Sequence, residues 1–206
     1  MNAHRWKSVA ALATAASLVL LGGAAPSQAA SASDNTQTGV RLSELPLTDR
    51  HLTAHEKANL AVVLQAYHVG EGTVLDAQGF MQLFAADGVL NGIGGVDGRS
   101  TLRGDQLGYL ITWLGNFLPD IHRELKQITV NGDVVSIELS IQGTFRGPFD
   151  TPAGVIKPTG AKIDFPTADF WYLRNGKIER FDCHIAFTTL YAQLGVMPDF
   201  ASAIGG

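Results

Sequence analysis

The sequence predicts an α+β domain, with helices in its first half and a largely antiparallel sheet in its second. Three observations carry this. Leu60, Val63, Leu64 and Tyr67 recur at helical spacing. From Leu125 onward the pattern shortens to that of strands. Asn131-Gly132 and Asn175-Gly176 then mark tight hairpin turns between strand-like runs. A chain of 206 residues, 46% of them hydrophobic, suffices for one domain with a full core, and no internal repeat divides it.

The N-terminus reads as a signal peptide over residues 1–30. Arg5 and Lys7 precede an apolar run from Val9 to Ala25, and Ser27-Gln28-Ala29 and Ala30-Ser31-Ala32 both fit the small-x-small cleavage rule. The expectation is export by general secretion, with an uncleaved membrane anchor as the alternative; the run is short for a span and broken by Gly22 and Gly23. Residues 31–46 read as a flexible linker, and 47–206 as the domain.

Within the domain, Thr53 and Glu56 have capping-box spacing and open a helix running to about His68. A shorter helix spans about Asp76 to Phe84, and a short strand Val89 to Asn91. Gly92 to Gly98 is a glycine-rich turn, and a third helix is expected from Ser100 to Phe117, ended by Pro119. Strands are predicted over Leu125–Val130, Val134–Thr144, Ala161–Leu173 and Lys177–Ile185, with a Pro-rich loop from Gly147 to Gly160 and a last helix over Phe187–Leu194.

The formal charge of −4 leaves no basic footprint for nucleic acid, so the expected partner is a small hydrophobic molecule, with membrane contact only during export. The single cysteine, Cys183, excludes an intramolecular disulfide. No metal site is expected. His51 and His55 are four apart without a His-Glu-x-x-His motif, and fewer than three ligand types converge elsewhere. The Gly92–Gly98 stretch does not spell a dinucleotide fingerprint, so no cofactor is implied, and the Gly-x-Ser-x-Gly elbow of serine hydrolases is absent.

Strand alternation puts Arg180, Asp182 and His184 on one face and Phe181, Cys183 and Ile185 on the other. Asp182 is the first candidate acid/base. An apolar pocket would raise its pKa toward the working pH, whereas Arg180 opposes that, so the alternative is a structural ion pair with Arg180 or His184. Asp169 is the second candidate, and His122, where the chain enters the sheet, the third. Tyr67 on the first helix offers a hydroxyl to a ligand. Trp113 and Trp171 are candidate pocket walls, and Arg180 and His184 candidate ligand contacts.

One order of motifs extends these readings. It runs Phe84-Ala85-Ala86-Asp87-Gly88, Gly98-Arg99-Ser100, Leu118-Pro119-Asp120-Ile121-His122, the stretch from Ile141 to Phe149, the stretch from Ala168 to His184, and Leu190-Tyr191-Ala192-Gln193-Leu194-Gly195. From about Leu60 to Gly195 this resembles the SnoaL-like polyketide cyclases of the NTF2-like superfamily. The resemblance implies an NTF2-like/cystatin-like cone, with N-terminal helices packed on a strongly curved mixed or antiparallel sheet around one pocket. It also implies that Asp182, after a one-residue adjustment, is the general acid/base of an intramolecular aldol closure. Asp169 then stands where characterised cyclases carry an assisting His. Two further functions stay open: a non-catalytic binder of an apolar ligand, and an epoxide hydrolase- or isomerase-like enzyme using Asp169, Arg180 and Asp182. A homodimer is expected through the convex face, where Phe170, Tyr172 and Phe181 lie outward if Asp169 and Asp182 lie inward.

Overall fold

The computed structural model describes residues 41–92, 101–151 and 153–196. The signal-peptide reading, residues 31–40 of the linker reading and the Gly98-Arg99-Ser100 motif lie outside the described residues. From Arg41 on, the segment read as linker is docked. Leu45 is buried, the Ile128 N–H donates to the Pro46 carbonyl at 2.9 Å, and the Thr48 N–H donates to the Ile128 carbonyl at 2.9 Å. Leu42 packs against the apolar core that buries Leu45, so the chain from Arg41 on contributes to that core.

Helix α1 spans Ala54–Gly70 and opens with the predicted capping box. Thr53 Oγ1 accepts from the Glu56 N–H at 3.2 Å, and Glu56 Oε2 accepts from the Thr53 N–H at 2.9 Å. Glu56 Oε1 also accepts from the Gly132 N–H at 3.0 Å, which ties the start of α1 to the first long hairpin. Its inner face buries Leu60, Val63, Leu64 and Tyr67. Helix α2 (Ala77–Gln82) follows, with Asp76 capping it by accepting from the Gly79 N–H at 2.8 Å.

The main sheet has six strands: β1 (Phe84–Asn91), β2 (Thr101–Arg103), β3 (His122–Asn131), β4 (Val134–Thr144), β7 (Lys162–Arg174) and β8 (Lys177–Ile185). Their spatial order is β2-β1-β8-β7-β4-β3, with every pair antiparallel except β1–β8. Strands β5 (Phe149–Thr151) and β6 (Gly154–Ile156) form a separate hairpin inside the Pro-rich loop. At the β7–β8 turn both Asn175 (φ 52°) and Gly176 (φ 72°) are left-handed, as a two-residue hairpin loop of matching twist requires.

Two expectations change. The third helix, α3, covers only Tyr109–Phe117. Thr101–Arg103 is instead strand β2 beside β1, and Gly104, at φ 53°, turns the chain out of it. Strand β1 also begins earlier than predicted, at Phe84, because the parallel edge of β8 gives its backbone partners. Helix α4 (Phe187–Gln193) follows β8. The helices and one sheet face bury a single apolar core, in which Trp171, Phe80, Phe117, Phe145, Phe149, Phe165 and Phe181 are the largest fully buried side chains.

Thr53→Ala removes the side-chain half of the capping box and is expected to lower unfolding stability by about 1 kcal/mol. Urea titration should show the midpoint falling with an unchanged slope.

Candidate functional site

Strand β7 alternates cleanly, and its inward residues include Phe165, Thr167, Asp169 and Trp171. This puts one carboxyl among aromatic rings. Asp169 is 3% exposed. Tyr67, on the inner face of α1, donates from its hydroxyl to Asp169 Oδ2 at 2.8 Å, and Trp171 Nε1–H donates to the same hydroxyl at 3.1 Å. The rings hold one another as well. Tyr67 meets Trp171 edge-on at 5.5 Å between centroids, and Trp171 stacks on Phe181.

Asp169 Oδ1, in contrast, is buried without a hydrogen-bond partner, as is Thr167 Oγ1 two residues earlier on the same face. Asp169 and Tyr67 share a narrow chamber with Arg123, Cys183, Trp171 and Phe80. The space open to the centre of a water there is about 20 Å³. That holds about one water and is far below the few hundred Å³ of a drug-sized pocket.

Burial pushes the Asp169 carboxyl up to about 6. The Tyr67 hydrogen bond opposes this, with weaker opposition from the Cys183 thiol, which lies beside the carboxyl as a poor donor, and from the charges of Arg123 and His184. Burial, together with the charge of Asp169, also raises the Tyr67 phenol and the Cys183 thiol well above their usual ranges. Tyr67 thus stays a hydrogen-bond donor, and Asp169 is the chamber group whose carboxyl is shifted toward neutral pH.

Asp169, Tyr67 and Trp171 are brought together. The other sequence candidates are not. Register pairs Asp169 with Cys183 and Phe170 with Asp182, so the two aspartates point to opposite sides of the sheet. This corrects the inward placement of Asp182. It lies on the outer face, accepting from Asn91 Nδ2 at 2.8 Å and paired with Arg180 Nε at 3.2 Å, which is the ion-pair arrangement. The cause is burial: turning Phe181, Cys183 and Ile185 inward and Arg180, Asp182 and His184 outward hides the apolar set. Phe181 is accordingly inside, not on the outer face with Phe170 and Tyr172.

Arg180 lies over the Tyr172 ring at 3.7 Å, and His184 meets Phe170 edge-on at 5.7 Å, so neither reaches the chamber. The set Asp169, Arg180 and Asp182 is split between two faces and does not converge. Trp113 packs on Phe117, Phe149 and Phe187 at 5.4, 6.1 and 6.4 Å, away from the chamber wall. His122 is exposed, its Nδ1 3.0 Å from Glu71 Oε2. Its neighbour Arg123 takes the inward position, opposite Ile141 of β4, while His122 stands opposite Gln142.

Arg123 and Cys183 are the chamber residues that sequence reasoning missed. Both left a signal. Arg123 shares its phase with Leu125, and Cys183 lies between Phe181 and Ile185 in the apolar set of its strand.

A larger open groove, about 650 Å³, lies between the β5–β6 hairpin and α4. Its described walls carry no carboxylate, imidazole or amine, so the chemistry points to the smaller chamber. Among the described residues, no group of three or more His, Cys, Asp or Glu side chains is arranged to hold a metal.

The SnoaL-like domain model matches residues 52–181, more than half of the chain. A proposed SnoaL-like polyketide cyclase from Jannaschia sp. CCS1 superposes with a TM-score of 0.61 at 16% identity, over 73% of this chain and 100% of that one. AclR, a proposed hydroxylase from Streptomyces galilaeus, gives 0.58 at 19%, over 70% and 89%. A proposed polyketide cyclase from Bacillus cereus ATCC 10987 gives 0.57 at 23%, over 75% and 96%. At these identities the likeness is one of fold. A comparison with curated proteins gave no match.

The buried carboxyl gives stability a signed pH dependence. Below about pH 4 Asp169 is protonated in both folded and unfolded chains and costs nothing. As pH rises, the unfolded carboxyl ionises first, and by the time the folded group titrates, at about 6, roughly 3 kcal/mol of stability is lost. Asp169→Asn, which cannot ionise, should therefore gain on the wild type between pH 4 and 7. Parallel urea titrations across that range check this, and a constant difference would contradict it.

Proposed function

This chain belongs to the SnoaL-like domain family, and on that premise we propose that it is an acid/base catalyst working through Asp169 on a small, apolar carbonyl compound. The observation that carries the reading is the unpartnered Oδ1 of a buried carboxyl poised at about 6. Near neutral pH such a group is mostly ionised, yet basic enough to take a proton from a carbon acidified by flanking carbonyls. Tyr67 holds the other oxygen by its hydrogen bond, and Trp171 in turn holds Tyr67, so the base is fixed by two buried groups.

The step is a proton transfer. The substrate C–H bond breaks toward Oδ1, and its electron pair moves onto the carbonyl oxygen as an enolate. The proton then returns to the same or another carbon, or the enolate carbon attacks a second carbonyl of the molecule in an aldol closure and the resulting alkoxide takes the proton back from Asp169. Neither outcome needs a co-reactant. The water-sized chamber favours a substrate that presents a narrow reacting end, and it disfavours a fused ring system held entirely inside. The leader-like N-terminus supports a role outside the cytoplasm, on compounds met there.

A test that does not require the natural substrate is solvent exchange. Wild-type protein in D₂O should speed deuterium incorporation at the central carbon of acetylacetone, followed by proton NMR. Asp169→Asn should lose about 10²-fold or more of that acceleration, while Asp182→Asn should keep it. A folded wild type with no acceleration over buffer would leave the chain a non-catalytic binder and overturn the reading.

A further inference from the structure

The groove between the β5–β6 hairpin and α4 shares none of its described wall residues with the chamber. The hairpin wall presents Val155 and Ile156, and the helix wall Tyr191, Leu194 and Val196. Val155 is 59% exposed and Val196 45%. Among the described residues, Val74 is the one other large hydrophobic side chain that is exposed. A lone exposed valine needs no explanation, but two on the walls of one apolar groove mark a surface that something covers.

The chain leaves α4 from within this wall. Gly195, just past the helix, takes the left-handed φ of 75°. The Val196 N–H donates back to the Tyr191 carbonyl at 2.9 Å, and the Gly195 N–H to the Ala192 carbonyl at 3.1 Å. This pair of bonds is the reversal by which a left-handed glycine turns the chain away from the helix axis. An apolar contact between the residue after the glycine and the last turn accompanies such reversals, and here those residues, Val196 and Tyr191, both line the groove. Residue 197 therefore starts at the groove.

Residues 197–206 read Met197-Pro198-Asp199-Phe200-Ala201-Ser202-Ala203-Ile204-Gly205-Gly206. Met197, Phe200 and Ile204 are large and apolar, and Asp199 is the only charged side chain. This composition suits walls whose described residues carry no charged group. A segment already attached to one wall also has an effective concentration there on the order of millimolar, which any untethered molecule has to match. We propose that residues 197–206 dock in this groove of their own chain, cover Val155 and Val196, and close the groove to other apolar molecules. This docking is independent of the acid/base reading.

A nitroxide placed on Ser202→Cys in the full chain tests it. Cys183 is buried and its thiol is raised well above the usual range, so the label goes to residue 202. The Val155 methyl resonances should broaden strongly, while those of Val74, exposed but outside the groove, keep their width. Ending the chain after Val196 should tighten the binding of Nile red, read from the Val155 methyl shifts, about tenfold or more, because the groove is then always open. No broadening at Val155, or equal broadening at Val155 and Val74, overturns the docking. So does a folded shortened chain that binds the dye no tighter than the full one. Should the shortened chain fail to fold, the nitroxide result decides. Isotope-labelled chains without nitroxide are also mixed with nitroxide-bearing chains of natural abundance. Broadening of Val155 in that mixture, as strong as within one chain, assigns the groove to the segment of a second copy and overturns docking in the same chain.

Discussion

The interior of this domain is organised around one buried carboxyl that accepts a hydrogen bond at one oxygen and none at the other. Taking a carboxylate out of water is costly unless something compensates. Here the compensation is partial. Tyr67 satisfies Oδ2 from α1, Trp171 satisfies Tyr67 from the same strand as Asp169, and Oδ1 accepts no geometrically formed hydrogen bond, its carboxyl having only the weak thiol of Cys183 beside it. The imbalance raises the group toward neutrality, to about 6. Full satisfaction would have made Asp169 a structural anion, and none would have left it permanently protonated. The intermediate degree leaves it able to exchange a proton.

The same arrangement sets the size of the chamber. Trp171, Phe181 and Phe80 are the large rings that line it. These rings keep the dielectric low around the carboxyl, and they also exclude bulk. A roomier, wetter interior would solvate Asp169 and return it toward an ordinary carboxylate. The aromatic filling and the raised proton affinity are therefore one feature.

Much of the fold was legible because local signals agreed with tertiary ones. Strands β4 and β8 have the limits that hydrophobic alternation gives them, and the Asn175-Gly176 turn and the Thr53–Glu56 capping box form as their residue types require. The third helix was misjudged at its start, because the apolar spacing of Leu107, Leu110 and Leu114 extends backward only if Gly104 and the pairing of Leu102 with Leu90 are ignored. At the site, Asp169, Tyr67 and Trp171 were legible as inward polar and aromatic groups. Asp182 was misplaced because alternation tells which residues share a face but not which face is buried. The apolar set Phe181, Cys183 and Ile185 decides that. Arg123 went unread because a lone Arg beside a His looks like rim. Its phase with Leu125 becomes informative only once the bulge between Leu125 and Gln127 is known.

The parallel pairing of β1 with β8 has a consequence for biogenesis. Phe84 lies against Ile178, and Leu90 against Phe181, so an early strand waits for the last one. The hydrogen bonds that fix the carboxyl likewise span 102 and 104 residues of chain. Contacts of such long range form slowly, and until they do an emerging chain carries an unpaired β1 edge. A ribosome that has made everything up to the β7 turn has produced Asp169 and Tyr67 but not the wall that dries them. The proton affinity of the site is thus a property that the polypeptide acquires only at the end of its synthesis.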